Sequence, residues 1–449
     1  ADAAFYVISR TAGEDADRFL QQGDYYLTEE EKAELSYLDA CCERVIVSLN
    51  TGGPIDLQEI LKLSHLKGLL SIVQPGMEGG HALADIVTGR VTPSGKLSST
   101  WAAAYSDIPG SGDYSHNNGN VEKEYYMEGI YIGYRYFDSF GKKAAYPFGF
   151  GLSYTDFSIE TNAILPEETG EISVTVTVRN TGNVWAGREV VQIYASCPQA
   201  GLEKEYRRLC GFAKTKLLAP GEKEELSIRI QAKNLASFSE TKAAWIVEKG
   251  QYGVWVGNSS NNLEIVGVLE VDADTVIESV KHILPLQEKL HELECPEAVR
   301  LEREKAWKAD AAERGLLPVK YVPAAEQVRT YSEPEAKKEA RELTEKLTQE
   351  QQIAMVIGEV AKGQGQALGS AGIMVPGAAG ETSGCLEESY GVPGVAMADV
   401  FAGIRLMKSY EVDRTTGGIN NQGIFGAVEG GIFADHTPHA NTDIYYQYA

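Results

Sequence analysis

Over residues 1 to about 105, short apolar runs alternate with longer stretches of mixed polarity. The runs FYVIS, RVIVSLN and LLSIVQ read as strands; EEEKAELSYLDACC and the stretches that follow the second and third runs read as helices. Strands separated by helices form βαβ units on a parallel sheet. Each run ends in a loop rich in Gly, Ser, Asn or Pro (SRTAGED, SLNTGGPID, QPGMEGGH), and open α/β sheets gather ligands at such carboxyl-end loops. From about 170 to 272 the period changes to two. Ile172, Val174, Val176 and Val178 share one face of a strand and Leu226, Ile228 and Ile230 lie on another strand, with turns at NTGN and APGEK. Short alternating strands with such turns predict a β-sandwich of roughly 100 residues, with Trp245, Tyr252 and Trp255 as core.

Between these regions, YSDIPGSGDYSHNNGN leads into a run dense in tyrosine and glycine, a composition suited to a binding loop, although most of its aromatics are expected to pack on the domain below. Residues 275–350 are rich in Glu, Lys, Arg, Leu and Ala and read as exposed helices linking two domains. YSEPEAKKEARELTEKLTQEQQIAMVIGE then carries a Ser-x-x-Glu cap around Pro334 and places Leu343, Leu347, Ile353 and Ile357 at near-helical spacing. The polar, glycine-rich remainder holds too few elements to complete another domain.

Charge narrows the chemistry. With 64 acidic against 41 basic residues the net charge is -23, which repels nucleic acid and anionic membranes and suits neutral substrates such as sugars. Neither GxGxxG nor GxxxxGK[ST] occurs, which argues against nucleotide binding. Cys41, Cys42, Cys197, Cys210, Cys295 and Cys385 form no CxxC pair, so no zinc site or disulfide framework is expected and a cytoplasmic, reducing location is. The sequence has no run of 18 apolar residues, and its start, ADAAFYVISR, reads as the middle of a domain whose earlier part lies elsewhere.

Five ordered blocks, VISRTAGEDADRF, VSLNTGGPIDL, QPGMEGGHALADIVTGRVTPSGKLSSTW, MEGIYIGYRYFDS and YPFGFGLSYTDF, resemble the α/β sandwich domain of glycoside hydrolase family 3. VTVRNTGNVWAGREVVQIY, GFAKTKLLAPGEK and WIVEKGQYGVWVGNSS resemble that family's fibronectin type III-like domain, and LTEKLTQEQQIAMVIGE with GVPGVAMADVFAGIR the opening of its (β/α) barrel. The order is the family's reversed one, with the barrel last. The resemblance implies an α/β sandwich over 1–157, a fibronectin type III-like β-sandwich over 158–274, a helical linker over 275–330 and a truncated (β/α)8 barrel over 331–449.

The family's retaining mechanism sets a barrel aspartate as nucleophile against a glutamate acid/base from the sandwich domain, the two carboxyls about 5 to 5.5 Å apart. Glu128 in YYMEGIYIGYRYF matches the acid/base block E-G-I-Y-V-G-Y-R-Y. From its neighbours alone it would be one of many surface glutamates, except that Tyr125, Tyr126, Met127 and Tyr131 are placed to desolvate it and raise its pKa. Asp399 in MADVFAGIR matches the D-G-P-x-G-x-R block whose aspartate holds sugar hydroxyls, with Val400 and Phe401 in place of the usual Gly and Pro; Arg405 matches the block's arginine. No S-D-W-like nucleophile block occurs, and Asp435 and Asp443 match nothing, so the nucleophile is expected outside these residues.

The activity implied is that of a β-glucosidase removing terminal β-D-glucosyl units without metal or cofactor. β-Xylosidase specificity and a non-catalytic carbohydrate-binding scaffold are the alternatives. The family's N-acetylglucosaminidase branch, which keeps its acid/base in the barrel, is disfavoured by Glu128. A companion polypeptide completing the barrel, or a homodimer, is the expected partner beyond a β-glucoside.

Overall fold

The computed structural model describes residues 2–10, 19–112, 125–282, 286, 288–324, 335–358, 380–397, 409–416, 419–420 and 441–446. They fall in two compact units, Ala1–Arg329 and Thr330–Ala449.

In the first unit β1 (Ala4–Ser9) is followed by α1 (Glu29–Cys41), β2 (Val45–Asn50) and β3 (Leu66–Ser71). The three strands form one parallel sheet in the order β1-β2-β3, as the alternation of strand and helix predicts. A capping box starts α1: the Glu31 N–H donates to Thr28 Oγ1 at 3.1 Å and the Thr28 N–H to Glu31 Oε2 at 2.9 Å. Ile8, Val45, Val47 and Leu49 are buried together with Leu27, Leu35 and Ile60, whereas Phe5 and Val7 on the other face of β1 are 42% and 46% exposed.

Two expectations shift here. The stretch after β2 is no α-helix but loop with one 3₁₀ turn, Ile60–Lys62, since Gly52, Gly53 and Pro54 break helical continuity at its start. The third strand begins three residues before LLSIVQ, because Asp39 accepts the N–H groups of Ser64 and His65 at 3.0 and 2.7 Å and fixes the entry to β3 at Leu66. Then come α2 (Gly79–Val87) and α3 (Tyr134–Phe140), the latter ended by Gly141 at φ 67°.

The β-sandwich comprises β4 (Phe157–Pro166), β5 (Ile172–Asn180), β6 (Val190–Ser196), β7 (Arg208–Lys214), β8 (Lys223–Ile230), the one-turn α4 (Ala232–Leu235), β9 (Ser237–Ser239), β10 (Ala244–Val247), β11 (Gly250–Ser259), β12 (Asn262–Val271) and β13 (Thr275–Ser279). One sheet has the order β4-β5-β8, and β13-β10-β9 forms a smaller one. Ile172, Val174, Val176 and Val178 are all 0% exposed, each contributing about 1.5–3 kcal/mol of burial. Tyr252 and Trp255 are buried and Trp245 packs against the same core, as read from the sequence.

Residues 275–330 depart from the exposed helical linker expected. After β13, helix α5 (Glu297–Glu313) buries Trp307 and Ala311 against the sandwich, and β14 (Pro318–Lys320) pairs in parallel with β12. The second large sheet therefore runs β14-β12-β11-β6-β7. Only two buried side chains interrupt a charged helix, too few to give an apolar period.

In the second unit the near-helical segment divides into α6 (Glu335–Thr344) and α7 (Gln349–Ile357), because Thr348 caps α7 in a box with Gln351. Pro334 lies outside the described residues. β15 (Gly380–Glu381), α8 (Glu387–Tyr390), β16 (Ala396–Met397), β17 (Ser409–Asp413), β18 (Ile419–Asn420) and β19 (Thr442–Tyr446) follow. Every strand pair described in this unit is antiparallel. Among the described residues of the chain no helix is long and apolar enough to cross a membrane, and no disulfide joins the six cysteines.

Candidate active site

Glu128 lies on the loop that leads into α3, half-buried, between two glycines whose backbone is left-handed, Gly110 at φ 72° and Gly129 at φ 57°. Gly110 is spatially adjacent: a Cβ there would collide with Glu128 Oε1. The positive φ favours glycine, and a side chain there would push the Glu128 carboxylate aside. The loop bearing Gly110 is itself shaped by the 3₁₀ turn Tyr105–Asp107, in which Asp107 Oδ2 accepts the Ala104 N–H at 3.2 Å, and it rests on Tyr25 through Tyr105, ring centroids 5.4 Å apart.

The backbone around Glu128 is held on both sides. The Tyr131 N–H donates to the Glu128 carbonyl at 3.0 Å, and the Leu293 N–H donates to the Met127 carbonyl at 2.6 Å. A Cβ on Gly129 would stand 2.7 Å from Glu292 Oε2, so the segment around 292–293 lies directly along the loop.

The neighbouring tyrosines bond elsewhere or lie exposed. Tyr131 is fully buried and points its hydroxyl away, donating to Glu203 Oε1 at 2.6 Å; burial, then Glu203, push its pKa far above the usual phenol value. Tyr125 donates to Glu288 Oε1 at 2.9 Å, and Tyr126 is 75% exposed. Most of the other aromatics pack downward, as expected: Tyr134 stacks near Phe148 and Tyr194, and its hydroxyl accepts the Leu209 N–H at 2.8 Å.

Helix α3 is tied to the sandwich by charge as well. Asp138 accepts two hydrogen bonds from Arg207, at 2.8 and 2.7 Å, and the guanidinium lies 4.9 Å from the ring centroids of both Tyr206 and Trp255. Burial opposes the charge on Arg207, but Asp138 outweighs it and the pKa ends raised.

Asp399, Val400, Phe401, Arg405 and Asp435 lie outside the described residues. Asp443 is on β19 and pairs with Arg414 at 2.7 Å. No group of three or more His, Cys, Asp or Glu among the described residues is placed to hold a metal ion. Gly110 and Glu203 hold Glu128 and its loop, and the sequence marks only the first of them, through the turn-forming dipeptide Pro109-Gly110.

Residues 1–154 match the glycosyl hydrolase family 3 C-terminal domain, and residues 189–260 match the fibronectin type III-like domain. With a parallel α/β sheet followed by this sandwich, the chain belongs to glycosyl hydrolase family 3. It is similar to beta-glucosidase A of Butyrivibrio fibrisolvens, 35% identical over 63% of this chain and 39% of that protein, and to a beta-glucosidase of Ruminococcus albus, 35% identical over 71% of this chain and 34% of that protein. Among solved structures, a beta-glucosidase from Paenibacillus barengoltzii superposes with a TM-score of 0.60 and 38% identity, over 63% of this chain and 32% of that one. The chain thus spans between a third and two fifths of the length of these curated relatives.

Proposed function

We propose that this chain supplies the acid/base half of a retaining exo-β-glycosidase, a β-glucosidase acting on terminal non-reducing β-D-glucosyl units. Glu128 is the general acid/base. The observation that carries this is its setting: the carboxylate is lodged against Gly110 on a loop fixed at Met127 and Tyr131, inside the domain matched to the family. Fixed geometry matters because a catalytic carboxyl must reach the glycosidic oxygen within hydrogen-bond distance. In the first step protonated Glu128 gives its proton to the leaving oxygen while the nucleophile bonds to the anomeric carbon; in the second, the carboxylate takes a proton from the water that releases the sugar.

In this reading Asp399 binds sugar hydroxyls, Arg405 supports its loop, and residues 331–449 open the barrel. The 449 residues contain no S-D-W-like block, so the nucleophile comes from polypeptide beyond them, in a companion chain or a homodimeric arrangement. The exposed Ile353, Val356 and Ile357 of α7 offer an apolar surface for such polypeptide. The six thiols support a cytoplasmic setting.

The test is hydrolysis of p-nitrophenyl β-D-glucoside by this protein and by Glu128→Gln, with intact-mass analysis of every polypeptide present. Turnover lowered ~10²–10⁴-fold by the substitution supports the assignment. Full turnover in Glu128→Gln excludes it. No turnover in either, with only the 449-residue mass present, favours the carbohydrate-binding scaffold instead.

A further inference from the structure

We propose that the fibronectin type III-like domain is a working part of the acid/base site, with Glu203 as the positioning residue that holds the Glu128 loop. This rests on the role proposed above for Glu128. Glu203 stands in the loop between β6 and β7, where one carboxylate oxygen accepts both the Tyr131 hydroxyl at 2.6 Å and the Cys295 N–H at 2.8 Å. Tyr131 is three residues from Glu128 and closes a turn onto its carbonyl. Cys295 is two residues from Leu293, whose N–H holds the Met127 carbonyl. The single carboxylate therefore fixes the loop twice, directly through Tyr131 and indirectly through the 293–295 segment.

Glu203 is itself anchored on both sides. Lys204, 1% exposed, pairs with Glu248 and donates to the Leu202 carbonyl at 2.7 Å, while the Leu202 N–H donates to Glu248 at 3.3 Å. Cys295 is held in turn, its carbonyl accepting Arg300 Nε at 3.2 Å. Removing the carboxylate leaves the Cys295 N–H without this acceptor and the buried Tyr131 phenol with only the longer contact to the Lys204 carbonyl, at 3.4 Å, and the cost falls on the loop rather than on the sandwich core. The arrangement explains why Tyr131 points away from Glu128: its hydroxyl carries the restraint, and its neutral, raised-pKa state keeps it a donor.

The variants are Glu203→Ala, Glu203→Gln and Tyr131→Phe in the full chain, read by hydrogen–deuterium exchange. Glu203→Ala raises exchange over residues 127–133 about tenfold or more with β5 and β11 unchanged; Glu203→Gln, whose amide oxygen accepts the same two bonds, stays within about threefold. Tyr131→Phe, which removes only a hydroxyl, loosens the same residues to a smaller degree. In preparations that hydrolyse the aryl glucoside, Glu203→Ala lowers kcat with KM nearly constant, and Glu203→Gln restores most of it. Unchanged exchange over 127–133 in Glu203→Ala, an equal rise over β5 and β11, or identical behaviour of Ala and Gln overturns the proposal. Failure of the Glu128 assignment shows separately, as full activity in Glu128→Gln with these exchange results intact.

Discussion

Replacing Asp138 by alanine removes one partner of a pair in which both side chains are largely buried, Arg207 at 12% and Asp138 at 15% exposure. Both carboxylate oxygens are used, at 2.8 and 2.7 Å, so the variant loses two charge-assisted hydrogen bonds and leaves a guanidinium without its counter-charge. Breaking a buried pair in this way costs about 3–5 kcal/mol. The Tyr206 and Trp255 faces and the Ser260 carbonyl at 3.3 Å still stabilise the cation, which sets the expectation near the lower bound, about 3 kcal/mol. At roughly 2–4 °C per kcal/mol for a large domain, Tm falls by about 6–12 °C. Urea unfolding followed by tryptophan emission measures it, with Arg207→Leu and the double variant completing a cycle. The double variant recovers part of the loss, because the unpaired charge is gone, and 1 M salt changes the wild-type value little. A loss below about 1 kcal/mol, or strict additivity of the two substitutions, would refute the idea that this pair locks α3 to the sandwich.

Two further outcomes follow from local geometry. Burial pushes the Glu31 carboxyl up, but the bidentate Arg10 guanidinium and the Thr28 N–H pull it further down, so its folded pKa lies below the ordinary value. Its pairing is therefore present above about pH 4.3 and lost as pH falls through the folded value; Glu31→Gln is less stable by about 1–3 kcal/mol at pH 7 in urea titrations, and the gap closes below pH ~4. A gap that persists to pH 2 contradicts this. Gly110→Ala strains a left-handed backbone by about 1–2 kcal/mol and displaces the Glu128 carboxylate, so glucoside hydrolysis falls ~10-fold or more while Tm drops only modestly; unaltered kcat would show that Gly110 does not shape the site.

The sequence pattern was a good guide wherever burial follows a local period. β1, α1, β2, β5 and β8 all lie where alternation or the helical mixture of residues places them, because one face of each packs on its own sheet or core. Prediction failed where the determinant is distant. α5 reads as a charged linker because Trp307 and Ala311 are its only buried side chains, and β14 is a strand only because β12 offers it an edge. The site shows the same division. Glu128 stands out through a block resembling a known family, but its holders come from far along the chain: Glu203 is 72 residues from Tyr131, and nothing near Glu203 marks it. The tyrosines beside Glu128 suggested an apolar wrapping by proximity in sequence, whereas Tyr125 and Tyr131 spend their hydroxyls on Glu288 and Glu203.

The central claim, that Glu128 is the acid/base of a two-step glycoside hydrolysis, is met most directly by azide rescue of Glu128→Gln on an aryl β-glucoside with an activated leaving group, in material containing every polypeptide of the active enzyme. Azide needs no general base, so it should restore turnover and yield β-glucosyl azide, identified by its anomeric coupling in proton NMR. A Glu128→Gln variant that retains wild-type turnover, or one that is slow yet forms no glucosyl azide, would contradict the assignment.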